Sequence, residues 1–323
     1  MRRLLKVVFF LVVVIVIVGG AGAGYLFARY PDVPPAETAA VVATPEKRAR
    51  GEYLANHVTG CVVCHAERDM TKYGGPVKPG TWGAGGEFFG DEAQGLAVYS
   101  RNITPAALGH WTDGEIIRAF TAGVAKDGQP LFPIMPYPKY ARLSREDVES
   151  IVVYLRTLDP VVHTVPDRKL PFPLPLIVRT MPQAAALRPM PSRDNKVAYG
   201  EYLTNAAVCA ECHTPIDDKG APLPGRDFAG GTEFTLPNGA IVRPANITPD
   251  ADSGIGTWSE AQFVDKFKAL ATAEPRALND AEQRENTIMP WMYYGGMTRE
   301  DLGAIYAYLR SLKPVLNRVK KFN

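Results

Sequence analysis

Two copies of one five-residue word constrain this chain more than any other feature: Cys61-Val62-Val63-Cys64-His65 and Cys209-Ala210-Glu211-Cys212-His213. Together they use all four cysteines of the sequence. A lone Cys-x-x-Cys fits a redox dithiol or half of a zinc site. Zinc ligand pairs usually lie within a few tens of residues of each other. Here Cys61 and Cys209 stand 148 positions apart. A redox dithiol has no use for a His after the second Cys, yet the His recurs. Cys-x-x-Cys-His is the attachment word for c-type haem: two thiols add across the vinyl groups and the adjoining His binds the iron. Two such words imply two covalently bound haem c groups, and a fold built to enclose each.

The rest of the sequence repeats with them. Gly51-Glu52-Tyr53-Leu54 is answered by Gly200-Glu201-Tyr202-Leu203, and Asn102-Ile103-Thr104-Pro105 by Asn246-Ile247-Thr248-Pro249. Ile134-Met135-Pro136-Tyr137 is answered by Ile288-Met289-Pro290-Trp291. A closing Tyr154-Leu155-Arg156 is answered by Tyr308-Leu309-Arg310. Val148, Ile151, Val152 and Leu155, and again Leu302, Ile305, Tyr306 and Leu309, fall at helical spacing. Ser144 and Thr298 suit the N-caps of those helices. Thr112-x-x-Glu115 and Ser259-x-x-Gln262 read as capping boxes. Gly- and Pro-rich stretches such as 74–86 and 220–231 read as loops. The fold expected is all-α: short helices in two tandem copies, each wrapped around a haem.

A hydrophobic content of 46% in 323 residues suits two such domains. The net charge of +2 gives no footprint for nucleic acid. Basic residues Arg2, Arg3 and Lys6 precede the uncharged, mostly apolar run 7–27, long enough as a helix to cross a bilayer. The expected segments are a transmembrane anchor over 1–29 and a linker over 30–45. They continue with a first domain over 46–161, a Pro-rich linker over 162–194, a second domain over 195–316 and a basic, solvated tail over 317–323. A cleaved signal peptide is the alternative for the first segment. Both readings export the chain, with the haem domains on the periplasmic side of the bacterial inner membrane.

Beyond the proximal His65 and His213, each iron takes a second ligand or stays open. Met135 and Met289 occupy matched words, with Pro stiffening the strap on the C-terminal side; thioether ligation raises the potential and favours electron transfer. Met292 and Met297 are rivals in the second copy and align with Pro138 and Leu143 of the first. The Asn-Ile-Thr words match glycosylation sequons, but their recurrence fits a role in holding haem propionates or tightening a loop. Trp111 and Trp258 read as packing residues. His57, His110 and His163 have no counterpart and read as ordinary surface or loop residues.

These words resemble those of a membrane-anchored di-haem cytochrome c built from two class I cytochrome c domains. The chain is similar to the cytochrome c subunits of bacterial membrane-bound alcohol, gluconate and aldehyde dehydrogenases, which usually carry three haems. The resemblance implies Cys61, Cys64, Cys209 and Cys212 as attachment residues and His65/Met135 and His213/Met289 as axial pairs. It also implies an electron-transfer protein rather than an enzyme. Electrons would come from a membrane-associated dehydrogenase or respiratory complex and leave to a terminal oxidase or another cytochrome. A di-haem cytochrome c peroxidase is the alternative. That enzyme needs one openable iron, which the matched Met words oppose, and its Phe-Arg-Thr-Pro stretch has no counterpart here.

Overall fold

The computed structural model describes residues 1–218, 220–271 and 274–323. It opens with α1 (Arg2–Arg29), 28 residues of which none is buried. At 1.5 Å per residue α1 is about 42 Å long, enough to cross a membrane.

Two matched sets of elements follow. The first holds α2 (Pro45–Tyr53), α3 (Cys61–Cys64), a hairpin of β1 (Phe88–Asp91) and β2 (Leu96–Tyr99), α4 (Pro105–Leu108), α5 (Asp113–Ala122), α6 (Tyr137–Tyr140) and α7 (Arg145–Leu155). A short α8 (Leu174–Arg179) lies in the Pro-rich stretch. The second set holds α9 (Lys196–Ala206), α10 (Cys209–His213), β3 (Phe234–Thr235) paired with β4 (Ile241–Val242), α11 (Glu260–Ala271), α12 (Asp280–Arg284), α13 (Trp291–Tyr294) and α14 (Arg299–Ser311). Each set thus adds a small antiparallel hairpin that helical periodicity did not announce. The fold is helix-rich rather than purely helical.

The scaffold of each set is a crossed pair, α2 on α7 and α9 on α14. The glycine of each Gly-x-Tyr-Leu word makes the crossing. A Cβ at Gly51 would collide with the Ser150 carbonyl, and one at Gly200 with the Ala304 carbonyl. The closing helices start where capping predicts: Ser144 accepts from the Asp147 N–H and Thr298 from the Asp301 N–H, both at 3.1 Å. Both capping boxes are formed. Val148, Ile151, Val152, Leu155, Leu302, Ile305 and Leu309 are buried as their spacing requires.

The arginine of each Tyr-Leu-Arg word clamps a loop. Arg156 donates to the Leu108 and Trp111 carbonyls and pairs with Asp113; Arg310 donates to the Gly256 carbonyl. Residues 317–323 keep their basic side chains exposed, but their backbone is not free. Arg243 N–H donates to the Lys321 carbonyl at 2.8 Å, and Val242 bridges to Phe322.

The two sets meet in a reciprocal, pseudo-symmetric contact. Tyr53 donates to Asp301 at 2.6 Å and accepts from the Thr298 N–H at 3.1 Å. Tyr202 donates to Asp147 at 2.6 Å and accepts from the Ser144 N–H at 3.1 Å. Each half therefore caps the closing helix of the other. Both tyrosines resist ionisation: desolvation first, then the neighbouring carboxylate, pushes the phenols up.

Candidate functional site

The residue before each first cysteine turns the chain through a left-handed conformation, at φ 63° for Gly60 and 49° for Val208. A single helical turn then presents both cysteines and delivers the histidine. His65 Nδ1 lies 2.6 Å from the Arg101 carbonyl, and His213 Nδ1 2.7 Å from the Ala245 carbonyl. A carbonyl only accepts, so each Nδ1 carries the proton and each Nε2 keeps its lone pair. That is the tautomer and orientation a metal-binding imidazole needs. Burial pushes both imidazoles below their ordinary value, which keeps them neutral.

Glycines let that carbonyl come close. Gly85 N–H donates to the His65 carbonyl at 2.8 Å and Gly230 N–H to the His213 carbonyl at 2.7 Å. With φ of 77° and 73°, a Cβ at either would strike the backbone segment carrying the acceptor carbonyl. That segment is anchored in turn by the Asn-Ile-Thr word. Asn102 accepts from the N–H and hydroxyl of Thr104 and donates to the Val161 carbonyl at 2.7 Å. Asn246 accepts from Thr248 in the same way and donates to the Val315 carbonyl at 2.7 Å. Both asparagines are buried. Of the two roles expected for this word, these bonds fit loop tightening: the amides donate to backbone and, at Asn246, also to the Ser253 hydroxyl.

Met135 and Met289 sit half-buried against the core, each just ahead of a short helix. Those helices are pinned to the haem words by a tyrosine. Tyr140 donates to the Thr59 carbonyl at 2.9 Å, and Tyr294 to the Ala207 carbonyl at 2.8 Å. Each acceptor stands two residues before the first cysteine of its word. Met297 is 1% exposed and fills the core at the place of Leu143.

Both words lie where the halves meet. Cys212 is within electrostatic reach of Cys64, and Tyr294 within reach of Cys64, Cys209 and Cys212. Lys139, four residues after Met135, pairs with Glu211 inside the second word at 3.0 Å, and its carbonyl accepts from Asn205 at 2.9 Å. Reciprocally, the Tyr293 carbonyl, four residues after Met289, lies 3.0 Å from His57 Nδ1. His57, read from the sequence as a surface residue, is therefore an interface residue. Its only sequence signal was proximity to the first word.

The donor set fits haem c: paired thiols one helical turn apart, a neutral imidazole with its Nδ1 already bonded, and a half-buried thioether in each half. Comparison with known proteins agrees. Residues 197–313 match the cytochrome c family. The chain is 29% identical over 287 residues to the cytochrome c subunit of the quinone alcohol dehydrogenase of Gluconacetobacter polyoxogenes, covering 82% of this chain and 56% of that protein. It is 31% identical over 277 residues to the fructose dehydrogenase cytochrome subunit of Gluconobacter japonicus, covering 82% and 52%. It therefore spans about half the length of these relatives. A diheme cytochrome c-type protein of Cereibacter sphaeroides is 28% identical over 247 residues, covering 68% of this chain and 79% of that one.

Proposed function

We propose that this chain, related to cytochrome c subunits of dehydrogenases, is a two-haem electron relay. It would be held at the periplasmic face of a bacterial inner membrane by α1 and would serve a membrane dehydrogenase. The observation that carries the reading is the meeting of two identically tethered Cys-x-x-Cys-His words at one interface. Haem iron supplies one-electron chemistry when bound. Everything else falls to the chain. Cys61, Cys64, Cys209 and Cys212 hold the groups covalently. His65 and His213 present Nε2, with Nδ1 fixed by a carbonyl. Met135 and Met289 supply soft sulfur, which favours the reduced state and raises the potential. Tyr140, Tyr294 and the apolar core pack against each word and hold it in place. Electrons would enter from the dehydrogenase, cross the interface between the words, and leave to an acceptor such as a terminal oxidase.

A potentiometric titration followed by visible spectroscopy tests this. The denatured protein retains two covalent haems per chain. Met135→Ala and Met289→Ala each lower one midpoint potential and open one iron to carbon monoxide. Ready carbon monoxide binding at both irons of the unaltered protein, or peroxide turnover at an enzymatic rate, contradicts the relay.

A further inference from the structure

The Pro-rich stretch between the halves contains a feature that the relay does not use. Phe172 is 83% exposed, Ile177 49% and Met181 40%, within the eleven residues Pro171–Met181. Most N–H groups of this segment are already satisfied, that of Phe172 excepted. Leu174 N–H donates to the Pro171 carbonyl at 2.9 Å, and Leu176 and Ile177 donate to the Pro173 carbonyl at 3.0 and 3.3 Å. Pro171, Pro173 and Pro175 have no N–H to satisfy. Apolar side chains facing outward on a backbone with few free donors suit the edge of the hydrocarbon, where an unpaired donor is costly.

The place of this segment says what covers it. Arg179, at the end of α8, donates to the Phe27 carbonyl at 3.1 Å, and its guanidinium lies 4.8 Å from the centre of the Phe27 ring. Phe27 ends the uncharged run of α1, so it marks the level at which a spanning helix leaves the hydrocarbon. Lys169 and Arg188 flank the apolar residues and are exposed, suited to anionic headgroups.

We propose that the segment Pro171–Met181 is a second membrane contact, lying in the headgroup layer beside the exit of α1 with Phe172 and Ile177 in the lipid. The inference rests on the reading of α1 as a retained anchor. Together, a spanning helix and an interfacial foot restrict how the relay swings over the membrane. A single helix followed by a linker does not.

The test uses the full chain, with haems attached and reduced, in nanodiscs. All four native cysteines belong to the haem words, so a nitroxide placed through Phe172→Cys or Ile177→Cys is the only label. Collision with oxygen and with a water-soluble nickel chelate gives its depth. Both labels are expected about 5–10 Å below the headgroup plane. A label at Ile17→Cys should read near the bilayer centre, and one at Val162→Cys, where the side chain is 96% exposed, should read water. Nickel access at 172 and 177 equal to that at 162, with 17 deep, overturns the foot and leaves the anchor standing. A shallow label at 17 overturns both. Labels at 172 and 177 shielded from both probes overturn the lipid contact in favour of a protein occupant.

Discussion

The two methionine straps are built differently although their Met-Pro-aromatic words match. The first is local. Between the end of α5 and Met135, Leu131 N–H returns to the Gly123 carbonyl at 2.7 Å and Ala125 N–H to the Gln129 carbonyl at 2.9 Å. Lys126 adds a bond to the His110 carbonyl at 2.6 Å, and the linker adds one from Arg168 to the Pro130 carbonyl at 2.6 Å. The second strap is longer, carries α12, and is sewn to the other half. Asn286, 1% exposed, accepts from the Gly74 N–H at 3.0 Å and donates to the Met70 and Lys72 carbonyls at 3.0 and 2.9 Å. Arg68 reaches the Ile288 carbonyl beside Met289, and Val77 N–H donates to the Tyr293 hydroxyl at 2.8 Å. The first strap is thus ordered by its own sequence. The second is ordered by the loop that follows the first haem word, whereas the first site leans on the second half only beyond Met135, through Lys139.

What the halves share should fail alike. Gly51→Ala and Gly200→Ala each force a methyl into a backbone carbonyl, with a flexible side chain nowhere in the way to yield. Each is expected to destabilise by about 4 kcal/mol, near the top of the range for a point substitution. Thermal unfolding by circular dichroism measures it. A large effect in one half only would break the claim of a common scaffold.

What the halves do not share should fail in one place. Asn286→Ala removes bonds to four backbone groups, of which the Lys72 carbonyl keeps the Gly75 N–H; at about 1–3 kcal/mol for each that stays buried and unpaired, a loss of about 3 kcal/mol is expected. Only the iron of the second word should gain carbon monoxide reactivity. Arg168→Ala, which removes one bond from the first strap, should cost about 1 kcal/mol and open neither iron. Carbon monoxide binding at the first word in Asn286→Ala would remove the asymmetry.

The sequence carried the parts of this molecule that recur at fixed spacing. The haem words, the caps at Ser144 and Thr298, and the buried stripes of α7 and α14 follow from local chemistry within a few residues. The two hairpins did not show, because four- and two-residue strands leave too short an alternation. The partners of Asn286 lie more than two hundred positions away, and no local pattern encodes such a pairing. Likewise, Tyr53 and Tyr202 were legible as repeated residues but not as the bolts between halves. The arginine of each closing word was visible as a repeat, while its clamp on the loop before it emerged only in three dimensions.

The bolts themselves differ in strength. Asp147 receives two further bonds from Arg50, at 2.8 and 2.9 Å. The position corresponding to Arg50 is Tyr199, and Asp301 has only the distant Arg193, at 3.8 Å, while its Oδ1 lacks a hydrogen-bond partner among the described residues. Tyr53→Phe therefore leaves a poorly paired buried carboxylate and should cost about 2 kcal/mol; Tyr202→Phe should cost about 1 kcal/mol. Denaturant unfolding of the two variants and their combination reads the difference. Equal losses would mean that Arg50 does not compensate.

The smallest contrast lies at the threshold of each haem word. Gly60 and Val208 hold the same left-handed conformation, which a β-branched residue adopts at a cost of about 1–2 kcal/mol. A Cβ at Gly60 would meet nothing within 4 Å, so Gly60→Val isolates the backbone term and should destabilise by about 1 kcal/mol. The reverse change, Val208→Gly, removes the strain but frees the unfolded chain and gives up a half-buried side chain that packs on the core. These terms oppose one another, so Val208→Gly should stay within about 1 kcal/mol of the parent. If Gly60→Val proves neutral, the turn tolerates valine without penalty. The first half's glycine would then confer no advantage there, and the energetic difference between the halves would reside in the straps and bolts alone.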